Sequence, residues 1–117
     1  KVCYYSNREN IVRELGPGIY GLSNHLLDTP WPKVSRGMQR FRSLIEDQNA
    51  FNDDYFDLLV DRTLAEDTEL PDTGIGYEKE KALSAIFIET PIYGTRCSTV
   101  LTIDAHGKPE MVERVFV

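Results

Sequence analysis

Two short segments carry the residues whose types and spacing are suited to chemistry. The first is segment 18–24 (Gly-Ile-Tyr-Gly-Leu-Ser-Asn), which predicts a strand over 19–23 with Asn24 at its end. A side-chain amide at a strand end can point into a cleft and donate to a developing oxyanion. The alternative is a turn or cap interaction, which Asn makes easily. Asn24 is therefore a candidate oxyanion donor, and Ser23 a candidate ligand contact.

The second segment is 93–99 (Tyr-Gly-Thr-Arg-Cys-Ser-Thr). On a strand, Arg96 and Ser98 share one face, while Thr95 lies on the other. A guanidinium binds carboxylates and phosphates through its planar array of donors. An internal salt bridge is the alternative. We predict that Arg96, together with Thr95 and Ser98, contacts a ligand.

The spacing of residues gives little support for a metal site, for histidine or cysteine catalysis, or for a phosphate-binding loop. Cys3, Cys97, His25 and His106 form none of the close pairs that zinc sites use, so no metal site is predicted. Neither histidine has a visible catalytic partner. Either cysteine could be a nucleophile only beside a group that lowers its pKa, and reduced thiols are the simpler interpretation. Glycine-rich phosphate loops and nucleophile-elbow serines are absent.

The elements that must position these residues follow from hydrophobic periodicity and turn signals. Strands are predicted at 2–7, 11–14, 19–23, 86–88, 95–104 and 111–117. A first helix is predicted to begin within 28–32, and a second helix spans 52–65. A loop is predicted at 66–81 and a hairpin turn at 104–107. The order β-β-β-α-α-β-β-β predicts an α+β fold, in which an antiparallel sheet is accompanied by a helical pair.

The first predicted helix has two distinct faces. Apolar side chains recur at helical spacing from Val34 to Ile45, and Asp28 or Thr29 is the predicted cap. The opposite side carries a basic stripe at the same spacing, made of Lys33, Arg36 and Arg40. This stripe is a second set of candidate anion contacts.

Composition and charge narrow the classes of function. The 117 residues fit one domain, with 41% hydrophobic residues and a net charge of −6. Region 46–72 holds ten acids and one base, Arg62, so it carries −9 and the remainder carries +3. An acidic region repels phosphate backbones, which argues against nucleic-acid binding and leaves region 46–72 as a candidate docking surface for a protein partner.

Two further features concern the boundaries of the chain. No apolar run approaches the roughly 20 residues that span a bilayer, so no membrane span is predicted. The first residue is Lys1 rather than Met, and strand patterns lie at both ends. We therefore expect residues 1–117 to be a single incomplete domain of a longer protein.

Segment 18–33 and the block 93–99 resemble the transport and Golgi organisation protein 2 family, also called NRDE after an Asn-Arg-Asp-Glu signature. Residues 2–7, 70–71, Ser84 and 113–114 fit the same order, so the likeness covers nearly the whole chain. Family proteins are longer, and their signature and a Cys beside the initiator Met lie upstream. The segment 7–10 (Asn-Arg-Glu-Asn) is not that signature. The chain resembles the carboxy-terminal part of the family.

The resemblance implies a fold and a set of roles. The family resembles amino-terminal-nucleophile hydrolases, a four-layer fold with two antiparallel sheets between helices. In cysteine members of that class, the amine of a first-position Cys serves as base and an Asn helps form the oxyanion hole. By position, Asn24 is the candidate for that Asn, and Arg96 for a substrate contact. Because the first residue is Lys1, the chain alone is not expected to catalyse a reaction.

The resemblance also implies two functions. Family members are associated with haem handling, with lipid and acyl-coenzyme A metabolism, and with secretory-pathway organisation. The first hypothesis is an intracellular protein, cytoplasmic or associated with mitochondria or the Golgi, that binds a small amphipathic anionic ligand such as haem or an acyl-coenzyme A. No cofactor of the chain's own is expected. The second is a cysteine amide hydrolase or acyltransferase whose nucleophile lies upstream.

Overall fold

The computed structural model describes residues 1–116 as two β-hairpins separated by helices. The elements are β1 (Val2–Ser6), β2 (Ile11–Leu15), α1 (Pro32–Glu46), α2 (Asn52–Leu59), a 3₁₀ turn (Asp67–Glu69), α3 (Tyr77–Ala82), β3 (Cys97–Ile103) and β4 (Pro109–Val115). Within these residues β1 pairs with β2, and β3 with β4, both antiparallel. The α+β class is confirmed, but the single predicted sheet is wrong because two separate two-stranded sheets form.

The first hairpin follows the predicted strands at 2–7 and 11–14. Tyr4 lies opposite Arg13 in its register. The turn closes through a hydrogen bond from the Asn10 amide to the Ser6 carbonyl (2.7 Å). Asn10 has a φ of 54°, a left-handed conformation that Asn tolerates better than most residues. This local chemistry explains why the two predicted strands pair as a hairpin, a pairing that the sequence analysis did not predict.

The helical pair is confirmed, with different ends. Pro32 opens α1 and Trp31 is its N-cap, so the predicted cap at Asp28 or Thr29 is wrong. At α2 the Asp54 carboxylate accepts a hydrogen bond from the Phe51 amide (2.8 Å), which satisfies a free donor at the helix start. That helix ends at Leu59, and the predicted continuation to residue 65 is wrong.

Three further elements differ from the sequence-based expectation. Segments 19–23 and 86–88 are not strands. Phe87 is instead buried, and its amide donates to the Asp61 carbonyl (2.8 Å) just after α2. The predicted loop 66–81 contains α3, which begins after Gly76 at a φ of 90°. Lys81 of that helix donates to Asp67 (2.5 Å), and this bond holds the pKa of the Asp67 carboxyl below its usual value.

A small core lies between α2 and the second hairpin. Phe56 is 1% exposed, and the guanidinium of Arg114 on β4 lies 4.1 Å from its ring centroid. Phe87 meets Phe116 edge to face at 4.9 Å. Aromatic pairs at such distances stabilise a core beyond their area of burial. The predicted resemblance to part of the four-layer hydrolase fold stays a prediction.

The second hairpin closes through the predicted turn at 104–107. The Asp104 carboxylate accepts hydrogen bonds from the backbone amides of His106 (2.8 Å) and Lys108 (2.9 Å). Gly107 has a φ of 79°, which favours glycine. The predicted return strand is confirmed as β4, and its expected last residue, Val117, lies outside the described residues.

Candidate functional site

A pinned loop over residues 21–28 carries Ser23 and Asn24. Its two ends are joined, because the Gly21 amide donates to the Asp28 carboxylate (2.8 Å) and the Asp28 amide donates to the Gly21 carbonyl (2.7 Å). Asp28 has a φ of 59°, another left-handed position that Asp tolerates. The Leu27 amide donates to the hydroxyl of Tyr4 on β1 (3.2 Å). The loop is therefore held at both ends and against the first hairpin.

Gly21 brings this loop unusually close to α1. A Cβ atom at this position would lie 2.5 Å from Val34 Cγ1 and 2.8 Å from Met38 Sδ. At both distances the side chains of Val34 and Met38, or the helix itself, would have to shift. Glycine therefore allows the loop to pack directly on α1 in this arrangement.

An apolar groove lies on one side of this contact. Its volume is about 340 Å³. Aliphatic and aromatic side chains dominate the lining, which consists of Tyr20, Gly21, Leu22, Ser23, Lys33, Val34, Gly37, Met38, Phe41, Leu58, Leu59 and Ile86. Ser23 is the predicted contact residue that the structure places here.

A more polar cleft of about 580 Å³ holds Asn24. Its lining mixes both signs of charge with neutral polar and apolar groups: Arg8, Asn24, His25, Trp31, Pro32, Lys33, Pro71, Asp72, Thr73, Ile75, Glu80, Leu83 and Ser84. Glu80 is 7% exposed, and its carboxylate accepts hydrogen bonds from the Thr73 amide (2.7 Å) and hydroxyl (2.5 Å). Ser23 and Asn24 are thus neighbours in the chain that line different spaces.

Lys33 lines both spaces. Its Nζ donates to the Leu83 carbonyl (2.9 Å), which ties α1 to the segment after α3. Burial lowers the pKa of Lys33 below its ordinary value, because the ammonium loses part of its hydration. An ammonium has three hydrogens, so two remain for another acceptor. Lys33 can therefore meet an anionic group in the apolar groove, where it is the one charged residue of the lining.

The rest of the predicted basic stripe bonds to the chain itself. Arg36 donates to the Thr63 carbonyl (2.7 Å), and Arg40 forms an ion pair with Asp61 (3.0 Å). The Asp61 carboxylate also accepts a hydrogen bond from the Thr63 amide (2.9 Å). The hydrogen bond from Thr63 is the largest cause that holds the pKa of the Asp61 carboxyl below its usual value, and the hydrogen bond from Arg40 adds to it. Arg36 and Arg40 join α1 to the segment after α2. Arg36 also lines a separate cleft of about 380 Å³, whereas Lys33 is the stripe residue that lines the groove and the polar cleft.

Residues 95–98 lie elsewhere. Arg96 is exposed, precedes β3, and makes no ion pair with other described residues. The Thr95 hydroxyl accepts a hydrogen bond from the Ile88 amide (2.9 Å), and Ser98 is buried on β3. None of these three residues lines the groove or the polar cleft. Their ligand contacts stay predictions, and the structure does not bring them together with Asn24.

Several residues of the site were not predicted from the sequence. They are Gly21, Leu22, Met38 and Phe41 in the groove, and His25 and Trp31 in the polar cleft. The spacing of Gly21 and Asp28 gave no recognisable signal, because a loop closed by an Asp carboxylate depends on a left-handed conformation that Asp adopts only occasionally. Cys3 and Cys97 are free and exposed, and neither lines these two spaces. Residues 1–116 contain no cluster of three His, Cys, Asp or Glu side chains suited to a metal ion.

Comparison with known proteins gives a consistent result. The family model described as Transport and Golgi organisation 2 matches residues 1–117. The mouse relative, "Transport and Golgi organization 2 homolog", is 40% identical over 124 residues, which cover 97% of this chain and 44% of the relative. Human and bovine relatives named "Transport and Golgi organization protein 2 homolog" are 40% and 39% identical with the same coverage.

Two facts qualify what this similarity covers. The chain spans less than half the length of these curated relatives. Among the helices of residues 1–116, each is too short or too polar to cross a membrane. The pinned loop and the two spaces beside it thus belong to the shared part of these proteins, and the chain is a member of the transport and Golgi organisation 2 family.

Proposed function

We propose that this chain binds a small amphipathic anionic ligand in the apolar groove beside α1, with Lys33 as the cationic contact. The observation that carries the proposal is the lining of the groove, where one partly buried ammonium stands among aliphatic and aromatic side chains. Apolar area removed from water stabilises a complex by roughly 25 cal/mol per Å². A carboxylate or phosphate beside Lys33 adds a charge-assisted hydrogen bond.

Haem and acyl-coenzyme A are the two ligands that the family resemblance suggests. Both combine an apolar body with carboxylate or phosphate groups, which is the combination that the groove and Lys33 offer. Arg96 is a separate proposal, supported by its exposure and by the absence of an ion pair with described residues. It would contact a part of the ligand that extends beyond the groove.

Titration with laurate, lauroyl-coenzyme A and haemin, followed by calorimetry, tests the groove. Leu22 lines the groove and is 60% exposed, so Leu22→Glu places a charge there without disturbing the core. We expect this variant to weaken binding of the preferred ligand at least tenfold, which corresponds to about 1.4 kcal/mol. Ile92→Glu is the matched control, because Ile92 is 96% exposed and lies outside the groove. Equal weakening by both variants would refute the site.

The charge contact is tested by changing both the protein and the ligand. Lys33→Met keeps the apolar stem and removes the ammonium. We expect it to abolish the preference for laurate over dodecyl alcohol, while the wild-type chain retains that preference. Arg96→Ala is measured beside it with lauroyl-coenzyme A, and unchanged affinity would remove Arg96 from the proposed contacts.

We also propose that the chain serves in transport and Golgi organisation. The support is the name of its family and of its mouse, human and bovine relatives. Cells that lack the mouse relative provide the test, since restoration of normal Golgi morphology by a longer protein carrying this chain is the expected outcome. If the Leu22→Glu version restores Golgi morphology as well as the unchanged version does, the role in Golgi organisation does not require ligand binding in the groove.

A second candidate function is amide hydrolysis or acyl transfer, with a cysteine nucleophile supplied from outside this chain. The observation that favours it is the position of Asn24 in the polar cleft. In a longer protein with a processed first-position Cys, Asn24→Ala should lower kcat for an amide or thioester by roughly 100-fold, the scale for one lost oxyanion donor. Equal turnover by that variant would remove Asn24 from the mechanism.

A further inference from the structure

The polar cleft contains a histidine that neither candidate function uses. His25 lines this cleft beside Asn24, and its ring lies 5.9 Å from the ring of Trp31 at an angle of 50°. Its Nδ1 atom lies 3.0 Å from the hydroxyl oxygen of Thr29. The direction of this hydrogen bond decides what the other ring nitrogen can do.

The direction follows from counting hydrogens. The Thr29 hydroxyl lies 2.8 Å from the carbonyl oxygen of Leu26. A carbonyl oxygen only accepts, so the single hydroxyl hydrogen of Thr29 must be donated to Leu26. The Thr29 oxygen can then only accept from His25. The Nδ1 atom of His25 therefore carries a hydrogen, and in the neutral ring the Nε2 atom is an acceptor.

The Nε2 atom has no hydrogen-bond partner among residues 1–116. Next to it in the chain, Asn24 has a carboxamide that both donates and accepts. Trp31 adds a broad apolar surface in contact with the His25 ring. An acceptor, an amide and an aromatic ring thus line the same cleft of about 580 Å³.

The charged groups of the cleft balance each other. Two cations, Arg8 and Lys33, stand with two carboxylates, Asp72 and Glu80. Glu80 is satisfied by Thr73, and Asp72 accepts from the Gly74 amide (3.2 Å). A lining without excess charge favours a neutral polar ligand over an anion.

We propose that this cleft binds a neutral planar carboxamide. The amide N–H donates to His25 Nε2, the amide oxygen accepts from the Asn24 side chain, and the attached apolar group packs on Trp31. Thr29 is a positioning residue, because it sets the protonated nitrogen of His25 without entering the cleft. The site shares Asn24 with the second candidate function but needs no nucleophile, so benzamide binding without turnover distinguishes the two. It uses no residue that binds the ligand in the apolar groove, so its test does not depend on ligand binding there.

Long-range ¹H–¹⁵N NMR of the two histidine rings tests the first step. At pH about 9, where an imidazole is neutral, His25 is expected to carry its hydrogen on Nδ1. Thr29→Val removes the acceptor and should move the hydrogen to Nε2, whereas Thr29→Ser keeps the hydroxyl and should leave it on Nδ1. His106, which lies in the turn 104–107 far along the chain, serves as the internal reference. A wild-type His25 with its hydrogen on Nε2 would overturn the proposal.

Titration with benzamide and benzoate tests the ligand class. Benzamide should shift the His25 Nε2 and Asn24 side-chain signals in a saturable manner and bind more tightly than benzoate. We expect about tenfold weaker benzamide binding for His25→Ala and for Thr29→Val, the scale of one hydrogen bond. Thr29→Ser and His106→Ala should bind as the wild type does. Stronger binding of benzoate, or benzamide shifts that leave His25 unaffected, would contradict the proposal.

Discussion

At the scale of single residues, the Asp61 carboxylate connects the segment after α2 to helix α1, which lines both the groove and the polar cleft. It accepts a hydrogen bond from the Thr63 amide, pairs with Arg40 on α1, and is only 11% exposed at its side chain. These bonds to the ionised form explain the lowered pKa of Asp61. A group whose pKa is depressed on folding stabilises the fold at pH values above its unfolded pKa, and this contribution is lost as the pH falls through the folded pKa.

Asp61→Asn should therefore reduce the free energy of unfolding at neutral pH by about 1–2 kcal/mol, the scale of hydrogen bonds to a charged group. The difference between variant and wild type should disappear in acid, below the lowered pKa of Asp61. Urea unfolding at several pH values measures both quantities. Asp57→Asn removes an exposed charge from α2 and should change stability by less than about 0.5 kcal/mol. A loss for Asp61→Asn that persists unchanged in acid would contradict the charge pairing.

His25 shows which part of the site could be predicted at this scale. Segment 18–24 predicts a strand that ends at Asn24 and an oxyanion role for its side chain. The strand is absent, Asn24 lines the polar cleft, and its oxyanion role stays a prediction. The histidine beside it gave no signal, because its partner, Thr29, is itself oriented by the Leu26 carbonyl. These two hydrogen bonds, from His25 to Thr29 and from Thr29 to the Leu26 carbonyl, form only in this loop conformation. The periodicity of the sequence does not predict that conformation.

At the scale of elements, the contact between the pinned loop and α1 depends on Gly21. Gly21→Ala would force a methyl group against Val34 and Met38. We expect a loss of about 1–3 kcal/mol in unfolding free energy, as for other overpacked positions, together with weaker laurate binding. Gly16→Ala is the matched control, because a Cβ atom there meets nothing within 4 Å. Thermal unfolding of both variants checks this, and an equal Tm for both would argue against the close packing.

The elements that the sequence predicts correctly are those with local causes. Both hairpins have turn residues suited to left-handed conformations, Asn10 and Gly107, and α1 has an amphipathic pattern. The failures have tertiary causes. In segment 19–23 Gly21 packs on α1, and in segment 86–88 Phe87 is buried, but neither segment pairs as a strand. The charged helix α3 lies after two glycines in a polar stretch, where composition favours a loop.

At the scale of the whole molecule, the second hairpin presents an apolar face to solvent. Leu101, Ile103, Met111 and Val115 are each between 59% and 66% exposed. Leu101 lies opposite Met111 in the register and Ile103 follows on the same face, so these three side chains form one patch, while Val115 lies on that face beyond the Thr99–Glu113 pair. Exposed apolar faces of this kind lead to association with other surfaces.

The isolated chain should therefore bind an apolar dye such as anilinonaphthalene sulfonate and self-associate as its concentration rises. Leu101→Lys with Met111→Lys should reduce dye fluorescence several-fold and shift the sedimentation coefficient towards that of a monomer. The pair Ile92→Lys with Tyr93→Lys is the control, because those exposed residues lie outside the hairpin. Dye binding that falls equally for both pairs would show that the hairpin face is not the cause.

This apolar face competes with the groove as a place for an amphipathic ligand, so the location of the ligand is the decisive measurement. A stearate carrying a nitroxide spin label broadens the NMR signals of amides near its bound position. Binding in the groove predicts that broadening centres on Gly21, Leu22 and Met38, and that Leu22→Glu abolishes it. Broadening centred on Leu101 and Met111, with the groove signals unchanged, would contradict the proposed function.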